Sequence, residues 1–161
     1  MRAPLLKTHA ATEPQQPRGF AILAAHGGAG ASTTRGLLQL AYPDHDGPDA
    51  FELTTGSPLP ASAEPVLVAR GSAAGLGAAA RVLATWHPAV LRPWLVVMAD
   101  VPATAPFPVR YRLRALSGQV RSVIGMPFLW PLRAVDQVSD AASSRSVLRA
   151  ARALRDALEK G

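Results

Sequence analysis

Four short apolar runs, each followed by a turn and most of them by a stretch with helical spacing, leave this 161-residue chain few ways to fold. They read FAILAA (Phe20 to Ala25), VLVAR (Val66 to Arg70), WLVVMAD (Trp94 to Asp100) and VRSVIGMP (Val120 to Pro127). Apolar runs without alternation suit strands buried on both faces. Between the first two lies STTRGLLQLA (Ser32 to Ala41), which can start on Ser32 or Thr33 as cap and is stopped by Pro43. GSAAGLGAAARVLATW (Gly71 to Trp86) follows as a small-residue helix capped near Ser72. PVRYRLRALSG has Pro108 at its start and Gly118 past its end, the usual helix asymmetry. The last segment, SRSVLRAARALRDALEKG, puts Val147, Leu148, Ala151, Leu154 and Leu158 on one helical face. AFEL (Ala50 to Leu53) reads as a short edge strand, and Thr54 to Pro65 as an irregular connection.

Strands alternating with helices predict parallel βαβ units. The expected fold is α/β, a three-layer α/β/α sandwich around a mainly parallel sheet of four or five strands. Right-handed crossovers place every strand-to-helix turn along one sheet edge, where such folds bind ligands. His26, Arg70 and Asp100 each follow or end a strand there. Residues 1–18, rich in proline, glutamine and small residues, read as a flexible N-terminal arm, and residues 19–161 as a single domain.

Composition removes several function classes. Without cysteine there is no thiolate metal site, and His9, His26, His45 and His87 lack ligand spacing. No run approaches the roughly 20 apolar residues of a membrane span, and the first residues lack the apolar stretch of a secretory signal, so a cytoplasmic protein is expected. Residues 1–64 hold four basic and six acidic residues, against thirteen and five in residues 65–161. That basic half suits an anionic partner or a solvated arginine-rich surface. Only Lys7 and Lys160 are lysines, and both fall in expected tails.

The turn after the first strand reads HGGAGASTT (His26 to Thr34). A phosphate-binding loop needs glycines so that backbone N–H groups converge, a helix N-terminus behind them, a lysine and a hydroxyl for magnesium. Gly27, Gly28 and Gly30 meet the first need, the following helix the second, and Ser32 or Thr33 the last. The lysine is missing.

This stretch resembles the deviant phosphate loop of the ParA/MinD family of P-loop ATPases, KGGxGK[ST][ST]. In that alignment His26 stands at the signature lysine, Gly27, Gly28 and Gly30 at the glycines, Ala31 at the phosphate-binding lysine and Ser32 at the magnesium-binding hydroxyl. EPVLVARGSAAGLGAAARVLATW, PWLVVMADVP and VIGMPFLWPLRAV are similar to later family segments, and the final helix to the family's C-terminal helix. The resemblance implies a P-loop-like fold, ATP or ADP with magnesium held weakly or not at all, and a site of His26, Gly27, Gly28, Gly30, Ala31, Ser32, Thr33, Arg70 and Asp100. Ser32 would touch the metal only alongside a magnesium nucleotide.

Losing one charged transition-state donor commonly costs about 10²–10³ in rate. With both family lysines replaced, the expectation is a non-hydrolysing pseudo-ATPase, a binding or regulatory subunit of a DNA partition, transfer or secretion assembly. It would take a protein partner and leaves room for a homodimer. Two alternatives stand beside it. One is an atypical nucleotidase using Arg35 or Arg70 in place of lysine. The other is a basic nucleic-acid-binding module with a vestigial nucleotide site, bound through Arg110, Arg112 and Arg114, of which Arg110 and Arg114 share a helix face. GMPFLWPLRAV (Gly125 to Val135) either covers the core or faces a partner.

Overall fold

A computed structural model describes residues 19–44, 47–54 and 56–161. The expected arm, residues 1–18, lies outside the described residues. Elements follow as β1 (Gly19–Ala24), α1 (Ala31–Ala41), β2 (Asp49–Glu52), β3 (Ala63–Arg70), α2 (Ala73–Ala84), β4 (Trp94–Met98), α3 (Phe107–Ser117), β5 (Val123–Met126) and α4 (Arg145–Lys160). Two 3-10 turns, Trp130–Arg133 and Val138–Ala141, join β5 to α4.

The five strands form one sheet in the order β2-β1-β3-β4-β5, and every pair is parallel. The side chains of Phe20, Ile22, Val66, Val68, Trp94 and Val96 pack with α1 and α4 on one face. Leu67, Ala69, Leu95 and Val97 pack with α2 and α3 on the other. The chain is therefore the three-layer sandwich its strand pattern predicts. Alternate residues of the same apolar run feed opposite layers, which is why the runs show no polar alternation.

Chain direction creates the ligand edge. From β1 the chain crosses through α1 to β2, then returns past β1 to β3 and continues the other way. With right-handed connections, α1 and α2 lie on opposite faces, so the turns leaving β1 and β3 diverge and open a crevice between them.

The two helices of the first face are locked together at one end. The Tyr42 hydroxyl donates to Glu159 Oε1 (2.6 Å), and Arg155 donates to the Ala41 carbonyl (3.2 Å) at the C-terminus of α1. Burial, and then the Glu159 bond, push the Tyr42 hydroxyl pKa well above the ordinary tyrosine value. On α4 the buried face is Val147, Ala150, Ala151, Leu154 and Leu158. Leu148, expected there, is only half-buried, because α4 is rolled so that Ala150 meets the core instead. At the opposite sheet edge Glu64 accepts from both Trp94 Nε1 and Arg121 (2.9 Å each), and Arg121 lies over the Trp94 ring at 4.6 Å. This tie holds the N-terminal ends of β3 and β4.

Candidate functional site

The glycine turn sits at the crevice. The Ala25 N–H donates to Val68 (2.9 Å), keeping β1 on β3 up to the turn. Gly28 and Gly30 then take φ of +72° and +102°, which L side chains rarely adopt. At Gly30 the need is double: a Cβ there would stand 3.0 Å from Met98 Cγ. Gly30 is also the residue before the helix, and α1 begins at Ala31 with no side-chain cap. This corrects the expected cap at Ser32 or Thr33: the left-handed glycine turns the chain into the helix, and both hydroxyl residues fall inside its first turn. The correction matters chemically. Among the described residues, the N–H groups of Gly27, Gly28, Gly30, Ala31, Ser32 and Thr33 meet no protein acceptor, whereas that of Ala29 bonds His26 O (3.2 Å). A row of open donors at a helix start suits an anion.

The strand-end residues His26, Arg70 and Asp100 do meet. Arg70 Nε donates to Gly28 O (2.7 Å) and its NH1 reaches Asp100 Oδ1 (2.5 Å). The Arg70 backbone N–H bonds His26 Nε2 (3.3 Å), and His26 Nδ1 lies 2.9 Å from Gly27 O. That pairing assigns the ring hydrogen to Nδ1. His26, at the place of the signature lysine, thus spends Nδ1 inside its own turn and Nε2 on the end of β3, which ties the turn to the neighbouring strand. Arg70 is the cation at the loop, and Asp100 balances it.

Ala31 is 8% exposed and its methyl belongs to the core beneath α1. Ser32 is exposed on the outer side of α1, facing the second 3-10 turn. Thr33 is the hydroxyl that lines the cavity at the loop, together with Gly28, Gly30, Arg70, Phe128 and Arg133. The cavity measures about 170 Å³, below the roughly 300–1,000 Å³ of sites that enclose a whole small molecule. It has room for a phosphate-sized group.

Three participants were not singled out from the sequence. Thr34 is fully buried, and its hydroxyl donates to Gly30 O (2.9 Å), holding the turn from below. Met98 packs on Gly30 from the end of β4. Arg133 closes the cavity wall and lies over the Phe128 ring at 5.2 Å. Thr34 had a signal, as a polar residue within the apolar stripe of Ala31, Leu37, Leu38 and Ala41.

Other candidates are dispersed. Arg35 pairs with Glu52 on the edge strand (3.7 Å), away from the loop. Arg110, Arg112 and Arg114 do not share one surface: Arg112 donates to the Ala73 carbonyl of α2 (2.6 Å), while the other two face outward from α3. Residues two apart on a helix differ by about 200°, so the split is built into the spacing. In GMPFLWPLRAV, Leu129 is buried in the core, Phe128 half-buried and Trp130 66% exposed, so the segment covers the core and also faces outward. Among the described residues, no three His, Cys, Asp or Glu converge as metal ligands, and no helix is long and apolar enough to cross a membrane. No protein-family model, curated protein or solved structure matches the chain.

Proposed function

We propose that this chain is a non-hydrolysing relative of the ParA/MinD ATPases that holds a phosphate group at the turn of residues 26–34 and acts as a binding or regulatory subunit of a larger assembly. The observation that carries this reading is the pairing of open backbone donors with an apolar Ala31: the loop keeps its anion cradle but has a buried methyl where the family keeps a lysine. Backbone donors and the helix dipole attract anions without any lysine. Arg70 adds one delocalised charge, already shared with Gly28 and Asp100.

The donor set suits a phosphate and not a magnesium triphosphate. Ser32, the family's metal hydroxyl, does not line the cavity, and Asp100, the carboxylate beside the loop, is engaged by Arg70. In this reading Gly28, Gly30 and the first turn of α1 hold the phosphate oxygens, Thr33 lines their flank and Thr34 keeps the turn in shape. Among the described residues that line the cavity there is no carboxylate or histidine to activate water. The assembly, a DNA partition, transfer or secretion machine, is inferred from the family resemblance alone.

A second reading has one observation behind it. Arg70 lies against the loop and would be the cation of an atypical nucleotidase, whereas Arg35, bonded to Glu52, would not. Phosphate release from ATP, followed with purified protein, separates the two. The proposal expects none above background. Turnover at ordinary family rates, abolished by Ser32→Ala, would overturn it.

A further inference from the structure

Helix α3 is clothed on one side only. Its inner face is Val109 and Leu116, both buried, with Leu113 half-buried between them. Its outer face carries Phe107, Arg110, Tyr111 and Arg114, at the i, i+3, i+4, i+7 spacing that makes one continuous helix stripe. Phe107 is 71% exposed and Tyr111 66%, and their rings stack on each other at 6.4 Å. Two large aromatics exposed together on one helix exceed the scattered single residues of an ordinary surface.

Charge narrows what would cover them. The eleven residues of α3 include three arginines and no acidic residue. Among the described residues, Arg110 and Arg114 enter no ion pair, whereas Arg112 is turned aside to α2. The stripe is also pre-shaped. Pro108 sits in the first turn, Arg112 pins the helix to α2, and Val109 and Leu116 anchor it to the sheet. Tyrosine, phenylalanine and arginine are the residue types that concentrate in protein interfaces.

We infer that the outer stripe of α3 is a docking surface for an acidic amphipathic segment of a partner protein, its apolar residues on Phe107 and Tyr111 and its carboxylates on Arg110 and Arg114. Nucleic acid fits less well. Non-specific nucleic-acid binding rests on neutralising many phosphates with Lys and Arg, and the stripe offers two cations. Its rings are stacked on each other and not splayed to receive bases. The inference goes beyond the phosphate site and does not depend on it.

The test uses the whole chain and three fluorescent probes. They are a designed Leu/Glu amphipathic peptide of about 20 residues, long enough to be helical when bound, its Leu/Lys counterpart and a single-stranded oligothymidine. The Leu/Glu peptide should bind best. Phe107→Ala with Tyr111→Ala, and separately Arg110→Glu with Arg114→Glu, should each weaken it about tenfold or more. Arg149→Glu on α4 should leave binding unchanged. Should the aromatic pair melt early, the arginine pair decides alone. No binding of the acidic peptide, binding untouched by the stripe variants, or a stripe-dependent preference for oligothymidine would each overturn the inference.

Discussion

The guanidinium of Arg70 lies 2.5 Å from the carboxylate of Asp100, so two strand-end residues that would otherwise face a ligand face each other. The same guanidinium holds Gly28 O at 2.7 Å. Arg70 therefore both shapes the glycine turn and supplies its positive charge, and Asp100 decides how much of that charge an incoming anion meets. On the proposed function, a phosphate entering the loop would compete with Asp100 for Arg70.

Asp100→Asn should accordingly tighten binding of inorganic phosphate by up to about fivefold, the worth of one partly exposed ion pair. Arg70→Ala should weaken it. Both side chains are more than a third exposed, 39% and 38%, so Asp100→Asn should change stability by less than about 1 kcal/mol. Calorimetric titration with phosphate and a melting curve check the two halves separately.

The glycines of the turn should not be equivalent. Gly30→Ala meets both a positive φ and Met98 Cγ at 3.0 Å, and should destabilise by about 1–3 kcal/mol. Gly28→Ala has the positive φ but nothing within 4 Å, and should cost about 1 kcal/mol. Met98→Ala in the Gly30→Ala chain should recover the steric part alone. Chemical denaturation of the four chains measures this ordering.

How much of this could be read in advance follows from chain distance. The glycine turn, the strands and the parallel sheet are local patterns, and Pro108, Gly118 and Ser72 mark their helices as expected; Ser72 Oγ accepts the Gly75 N–H at 3.1 Å. The edge at which His26, Arg70 and Asp100 gather also followed from topology. That Arg70 would fold back on Gly28, 42 residues away, did not, because a long flexible side chain carries no periodic signal of its direction. The helix cap was misplaced by two or three residues, Ser32 or Thr33 for Gly30, for a related reason. Serine and threonine are strong caps in isolation, but the close packing of Met98 selects glycine at position 30.

Tyr42 gives the fold a pH dependence of defined sign. Its hydroxyl, partly buried and bonded to Glu159, ionises well above the ordinary value, whereas in the unfolded chain it ionises near pH ~10. The stabilisation is fully present below about pH 10 and is lost as the pH rises beyond it. Tyr42→Phe should flatten stability against pH above about 10, and at neutral pH should cost about 0.5–1 kcal/mol for the lost bond. Urea titrations across the alkaline range test both.

Calorimetry of the whole chain with ADP and with ATP, each with and without magnesium, tests the central claim most directly. A phosphate cradle without metal or lysine chemistry should bind both nucleotides with similar affinity, indifferent to magnesium, and Arg70→Ala should weaken both alike. Binding that requires magnesium and prefers ATP, or no binding of either nucleotide, would contradict it.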